Sequence, residues 1–362
     1  MTGTRGKSSV TRLIAAAIRE KGIAVIAKTT GSMPTLILPD GSEMEIRRRG
    51  NSTILEGKKI LKACAKVGIQ AAVLELMSIQ PESLFVESVQ MMQPNILVLT
   101  NVRVDHTEQM GTSREEVACS LAASLPEKCT VFIPVNQILP SLRKEADERG
   151  AELVSVPEDF FDPAAESQET FPASEFTENI SLALGVADFL EIDRETALRG
   201  MAKAHPDFGS VKMWQAEWRS PSRAHYFVSA FAANDPESTS KVLSWLEERG
   251  LFEKRKVIGL LCLRSDRGDR TLQWMKALKE ESCFRFDRIA LFGEHAKAFR
   301  KLIKSSAGQE FHVLKAKKPE DIMIQLSASQ EEETVFVGMG NMKGMGRQMV
   351  EHWERRGKRC DL

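Results

Sequence analysis

Short, almost wholly apolar runs, spaced widely enough for a crossover between them, constrain the fold of this chain more than any other feature. Ile23–Ala27, Ala71–Leu76, Ile96–Thr100 and Val131–Pro134 are each rich in β-branched residues or Leu, as strands are. Apolar runs that do not alternate with polar residues suit a parallel sheet covered on both faces. Between them lie helical patterns. From Val10 to Lys21, residues Val10, Leu13, Ile14, Ala17 and Ile18 share one face at 3.6-residue spacing. Leu36–Ile46 departs from this rhythm, since its Pro39-Asp40-Gly41 turn between extended segments predicts a β-hairpin. The acidic, Pro- and Phe-bearing stretch Pro157–Ser174 reads as a loop, and helical periodicity returns at Asn179–Leu190 and Arg194–Ala204. His205-Pro206-Asp207-Phe208-Gly209 then supplies breakers, which places a domain boundary after residue 209. Beyond it, His225–Ser229, Val257–Leu263, Arg288–Phe292 and Thr334–Gly338 read as strands. Pro236–Arg249, Leu272–Glu281 and Lys343–Arg355 read as helices. The expected class is α/β.

The bulk composition agrees and excludes several functions. A chain of 362 residues corresponds to about two domains at roughly 150 residues each. With 42% hydrophobic residues, a packed core is easily supplied. Fifty basic and fifty acidic residues cancel, so no basic footprint for nucleic acid exists. No apolar run is long enough to cross a bilayer, and the chain opens without an apolar signal segment. Cys64, Cys119, Cys129, Cys262, Cys283 and Cys360 are scattered without a C-x-x-C pair, which argues against a thiolate zinc site or a disulfide framework and fits a reducing cytoplasm.

Three segments carry chemistry. Gly3-Thr4-Arg5-Gly6-Lys7-Ser8 precedes the first helical pattern. Its glycines permit a backbone that turns successive N–H groups toward phosphate oxygens, and the helix beginning near Lys7 points its positive end at the same place. Lys7 can reach outer phosphates, and the Ser8 hydroxyl can ligate magnesium. The usual P-loop spacing is missed by one residue, because Met1 stands where the first Gly belongs. Glu75 closes the apolar run Ala71–Leu74. A carboxylate there sits at the ligand-binding edge of an open sheet, and a cation such as magnesium would balance its charge. Thr100-Asn101-Val102-Arg103-Val104-Asp105-His106 follows the next apolar run. His106 is a metal ligand, a general base or a helix cap on this reading, and Asp105 is a catalytic or a capping residue.

Together these segments resemble the Mur ligase superfamily, which includes the peptidoglycan amino-acid ligases and folylpolyglutamate synthase. Within it, Lys28-Thr29-Thr30-Gly31-Ser32, Arg47-Arg48-Arg49-Gly50, Glu75-Leu76-Met77-Ser78 and Asp105-His106-Thr107-Glu108-Gln109-Met110-Gly111 look like successive motifs of the poly-γ-glutamate synthase ligase subunit, the CapB/PgsB family. The likeness continues in order through Asn179–Ala187, Phe231–Thr239, Arg264–Thr271 and Gly338–Asn341.

The resemblance implies a P-loop, ATP-binding central domain with a mostly parallel sheet over 1–209, then a smaller Rossmann-like α/β domain over 210–362. It implies that ATP phosphorylates the terminal carboxylate of a γ-glutamyl chain and that the amine of an incoming glutamate attacks the acyl phosphate. The loop residues Gly3, Thr4, Arg5, Gly6, Lys7, Ser8 and Ser9 would hold the nucleotide, with one Mg2+ on Ser8 and Glu75 and a second on His106. Lys7, Glu75 and His106 would be catalytic. Asn101 and Asp105 resemble nucleotide-side and supporting residues of the same motif. Asn234, Arg264 and Asp266 resemble nucleotide contacts of the second domain. Arg267 and Arg270, like Arg47, Arg48 and Arg49, would meet phosphates or substrate carboxylates, Arg being suited to bidentate anion binding; a solvated surface run is the other reading of 47–49. Family members begin with a membrane-anchoring segment and a strand leading into the loop, and they work with small membrane subunits on the cytoplasmic face. This chain starts at the loop, so the first strand is expected to be missing. Ala230-Phe231-Ala232-Ala233 stands where peptidoglycan ligases carry Asp-Tyr-Ala-His. The alternatives are a folylpolyglutamate synthase-like ligase and a catalytically silent ATP-binding subunit.

Overall fold

The computed structural model describes every residue except 32, 49, 51, 167–170, 172–174, 218–223, 281–283, 285, 304–309, 328–331 and 361–362. The chain divides into two units, Met1–Phe208 and Gly209–Leu362.

In the first unit β1 (Val25–Thr29) is buried along its whole length. It pairs in parallel with β4 (Ala71–Leu74) and antiparallel with β2 (Thr35–Ile37), which continues into β3 (Glu43–Glu45). The β2–β3 turn falls at Pro39-Asp40-Gly41, closed by the Ser42 N–H donating to Asp40 Oδ1 at 2.9 Å. A second parallel ladder joins β5 (Ile96–Val98), β6 (Thr130–Pro134) and β7 (Glu152–Val156). β7 is absent from the sequence reading because Glu152-Leu153-Val154-Ser155-Val156 mixes exposed and half-buried positions, as an edge strand does.

Met1 and Thr2 lie between the two ladders. The Met1 nitrogen donates to the Leu74 carbonyl at 2.8 Å, and the Leu76 N–H donates to the Met1 carbonyl at 2.9 Å. On the other side the Thr2 N–H donates to Val98 O at 2.8 Å, and the Thr2 carbonyl accepts from the Thr100 N–H at 3.1 Å. Where a preceding strand was expected, these two residues hydrogen-bond on both sides and lead directly into the loop.

Helix Lys7–Glu20 is enclosed far more than its one-sided pattern implies, with Val10 to Ile18 all buried. The reason is that helices Thr177–Phe189 and Arg194–Ala202 pack on it in addition to β1 and β4. The approach is close at Gly200, where an added Cβ would stand 2.6 Å from the Ala16 carbonyl oxygen and 2.7 Å from Glu20 Cβ. In the stretch read as a loop, a short helix Pro163–Glu166 forms, and its Glu166 pairs with Arg194.

Among the described residues the second unit holds seven strands in the order β12-β11-β10-β13-β9-β8-β14. These are β8 (Lys212–Glu217), β9 (Ala224–Ser229), β10 (Lys256–Leu263), β11 (Arg288–Gly293), β12 (Glu310–Val313), β13 (Thr334–Gly340) and β14 (Lys358–Cys360). The run from β12 to β9 is parallel, and β8 is antiparallel to both β9 and β14. Uniform burial of β13, with the apolar sequence of β10, reflects helices on both faces. One face is filled by rings: Phe231 and Phe227 each stack on Trp353, at 5.8 and 5.6 Å between centroids. Among the described residues no helix is long and apolar enough to cross a membrane.

The crossing at Gly200 gives a test. Gly200→Val forces the Arg194–Ala202 helix away from Lys7–Glu20, and overpacking of this kind costs about 1–3 kcal/mol. Urea denaturation should show the loss, whereas an unchanged midpoint would mean that the close approach carries no stability.

Candidate active site

The loop between Thr2 and the first helix is built around two backbone positions that favour glycine. Gly3 has φ +114° and Gly6 has φ +77°. At Gly3 the constraint is also steric, since a Cβ would sit 2.3 Å from Thr100 Oγ1. Asn101 holds the loop in this shape. Its Oδ1 accepts from Thr4 Oγ1 at 2.6 Å and from the Arg5 N–H at 3.0 Å, while its Nδ2 donates to Arg5 O at 3.0 Å. The Thr100 hydroxyl donates to the same Arg5 carbonyl at 2.5 Å. Asn101, expected beside the nucleotide, is thus placed as a clamp on the loop that would carry it.

Lys7 opens the helix and folds back, its Nζ donating to Gly3 O at 2.7 Å. Burial lowers its ammonium below the usual lysine range, opposed by the charge of Glu75. A phosphate would raise it again by adding negative charge. One residue on, Ser8 Oγ donates to Glu75 Oε2 at 2.8 Å, and the Thr30 N–H donates to the same oxygen at 2.8 Å. Glu75 is 4% exposed. A buried carboxylate beside a hydroxyl is a pair of hard oxygen donors, the type that magnesium takes. Among the described residues no three His, Cys, Asp or Glu side chains converge on a point that could hold a metal. The donors fit a cation of the kind that keeps several waters and ligand phosphates and takes only one or two protein groups.

The second half of the site follows β5. Asp105 pairs with Arg5 at 3.0 Å, tying the segment to the loop, and its Oδ1 accepts from the His106 N–H at 2.7 Å. His106 has φ +47°, an uncommon conformation for a non-glycine residue. Its Nε2 lies 3.8 Å from Asp105 Oδ1, and its ring is 30% exposed, so it sits at the surface of this cluster. Backbone strain of this sort, costing of order 1–3 kcal/mol, is a mark of functional positions.

Several neighbours were invisible as site residues in the sequence. Asn179 Oδ1 would stand 2.7 Å from a Cβ on Gly6, and Asn179 Nδ2 donates to Glu175 Oε1 at 2.7 Å. Burial pushes the Glu175 carboxyl up to about 7, against hydrogen bonds from Asn179, the Phe176 backbone and Ser9. Gly31 approaches the Ser8 hydroxyl, with Asp207 Oδ2 close to the same point. Arg12, buried in the helix, forks onto Glu43 at 2.5 and 3.2 Å. Lys28, 1% exposed, lies 3.7 Å from Glu56. Lys28, Gly31 and Asn179 fall in stretches that resemble family motifs, without a role read for them; Arg12, Glu43, Glu56, Glu175 and Asp207 are brought together by the fold.

The other candidates have contacts of their own. Arg48 forks onto Glu56 at 2.7 and 2.9 Å, Arg47 is exposed, and Arg49 lies outside the described residues. In the second unit the Asn234 carbonyl accepts from Trp274 Nε1 at 3.0 Å. Arg264 pairs with Asp266, and Arg267 forks onto Asp269 at 3.1 Å through both nitrogens. Arg270 is wholly buried, donating to Gln273 Oε1 at 2.7 Å.

Known proteins resemble this chain in sequence and fold. The Mur ligase middle domain matches residues 1–200, and the poly-gamma-glutamate synthase CapB C-terminal domain matches residues 216–356. PGA synthase CapB of Bacillus subtilis (strain 168) is 31% identical over 355 residues, 97% of this chain and 88% of that protein. Capsule biosynthesis protein CapB of Bacillus anthracis is 29% identical, covering 97% and 75% respectively. The fold matches a bifunctional folylpolyglutamate synthase/dihydrofolate synthase from Yersinia pestis, solved with AMPPNP and a Mn ion (TM-score 0.68, 15% identity, 97% of this chain and 87% of that one). It also matches MurF from Acinetobacter baumannii (TM-score 0.66, 14% identity, 97% and 75%). The chain belongs to the Mur ligase family and, within it, to the poly-γ-glutamate synthase CapB proteins.

Proposed function

We propose that this chain joins glutamate to a γ-glutamyl chain, forming an amide at the expense of ATP. The observation that carries the reading is the Ser8–Glu75 hydrogen bond at the phosphate loop in a chain of this family. It sets a hydroxyl and a carboxylate for Mg2+ beside a backbone suited to phosphate. When bound, the cation neutralises phosphate charge, which is most of what phosphoryl transfer needs from its surroundings.

The residues divide the work. The backbone of Gly3–Ser9 and Lys7 would hold the outer phosphates, with Asn101 and the Arg5–Asp105 pair keeping the loop in shape. His106, at the surface of the cluster, stands ready for a second cation and the acceptor. The acceptor's terminal carboxylate oxygen takes the γ-phosphoryl group and ADP leaves. The α-amino nitrogen of glutamate then attacks the acyl carbon, phosphate departs and the nitrogen loses a proton. Activation is required because oxide is a far worse leaving group than phosphate.

Phosphate release measured with glutamate plus oligo-γ-glutamate, and separately with a folate acceptor, decides among acceptors. Turnover with the γ-glutamyl acceptor is expected; stimulation by folate alone would favour the folylpolyglutamate synthase-like reading. ATP binding without turnover on either acceptor would favour the silent subunit.

Two further outcomes are expected. Lys7→Ala and His106→Ala should each lower acyl-phosphate formation by about 10²-fold or more, the scale seen when one charge-stabilising group is lost; near-normal rates in rapid-quench assays would remove these roles. Glu175 holds its proton to about pH 7 in the folded chain, whereas an exposed glutamate gives its proton up at about 4.3. Stability therefore falls as pH rises through that interval and levels off above it. Ionisation also places a negative charge beside the loop, so ATP affinity should drop as pH rises through 7, and Glu175→Gln should remove that drop. An identical pH profile in the variant, read by calorimetric titration, would discount Glu175.

A further inference from the structure

The second unit carries a crevice whose lysines no role above uses, although Arg264 and Asp266, which also line it, resemble nucleotide contacts. From β10 the chain runs outward to β11 and β12, then returns to β13 on the other side of β10. Loops leaving the strand ends on either side of such a reversal diverge, and ligands bind open α/β sheets there. The crevice has a volume of about 880 Å³ and is lined by the segments that follow β10, β11, β12 and β13. That is near the top of the ordinary range for ligand cavities, roughly 300–1,000 Å³, and far more than one amino acid fills.

Its charge is lopsided. Arg264, Lys297, Lys315, Lys317 and Lys343 line it, against only Asp266 and Glu294. Both carboxylates are already engaged. Asp266 pairs with Arg264, and Glu294 accepts from the Ser265 N–H at 2.9 Å and from the Ser265 hydroxyl. Among the described residues none of the four lysine ammonium groups has a carboxylate partner. Leu263, Leu314 and Met345 supply apolar wall between the charges.

These features select a class of ligand. A free glutamate brings an ammonium group, for which the crevice offers no unengaged carboxylate. A nucleoside triphosphate concentrates its charge at one point, as the loop at 3–8 suits, but here the cations are spread over four segments of chain. Lysines are hydrated point charges on flexible stems, fitted to several separate anions more than to one fixed fork. Spaced carboxylates joined by methylene-bearing backbone match both the cations and the apolar wall. We propose that this crevice binds several successive α-carboxylates of a γ-glutamyl chain, a polyanion site that retains the growing polymer. The proposal rests on the γ-glutamyl reading above.

The test uses the full chain and a fluorescent γ-glutamyl decamer, followed by anisotropy at low and at physiological salt. Tight binding that weakens with salt is expected, as for any site made of exposed charge. Lys315→Glu/Lys317→Glu should weaken decamer binding by about tenfold or more, like charges facing each other across the contact. Lys343→Glu, in a different segment, should do the same, and neither change should alter phosphate release with a γ-glutamyl dimer as acceptor. Unchanged decamer affinity in both variants, or full displacement of the decamer by ATP or by free glutamate, overturns the site while dimer-dependent turnover keeps the ligase reading intact. Wild-type chain that neither binds the decamer nor turns over with the dimer overturns both.

Discussion

The structure of the first unit depends on how one buried carboxylate is accommodated. Glu75 ends β4 with 4% of its surface exposed, where an unsatisfied charge would cost several kcal/mol. Two donors, the Ser8 hydroxyl and the Thr30 N–H, meet on one of its oxygens. One comes from the helix that follows the phosphate loop and the other from the end of β1, so the carboxylate ties three segments together at the sheet edge. A cation held there, as proposed, would complete the neutralisation. Burial of Lys7 has the same logic: its charge is depressed by the enclosure, and a phosphate beside it would restore it.

Around that centre, rigidity is spent on the loop. Asn101 uses both ends of its amide on Thr4 and Arg5, and Asp105 takes the Arg5 guanidinium. The T-N-V-x-x-D-H segment therefore shapes the loop through Asn101 and Asp105 while leaving His106 at the surface, in a backbone conformation that its neighbours impose. Behind the loop, the close helix crossing at Gly200 fixes the axis along which the helix dipole points.

Much of this was legible in the residues. The apolar runs located β1, β4, β5 and β6 to within a few positions, because continuous apolar stretches mark strands of a parallel sheet even where, as in β4, the residues are only partly covered. The Gly3–Ser8 loop was legible because glycine spacing and a following helix report backbone geometry directly. What stayed hidden depended on distance in the chain. Glu175 and Asn179 reach the loop only because helix Thr177–Phe189 packs on Lys7–Glu20. Arg48 read as an anion grip or part of a solvated surface run, yet Glu56, eight residues away and on a helix, occupies its fork. β14 at the sheet edge and β8 beside it mix polar and apolar residues, so periodicity could not separate them from loop.

The central claim is that a carboxylate is activated by phosphorylation and then captured by an amine. It is tested most directly by supplying a γ-glutamyl acceptor labelled with ¹⁸O in its terminal carboxylate, together with ATP, Mg2+ and glutamate, and measuring the released phosphate by mass spectrometry. The account predicts one labelled oxygen transferred to phosphate for each amide formed. Amide formation with unlabelled phosphate would contradict it.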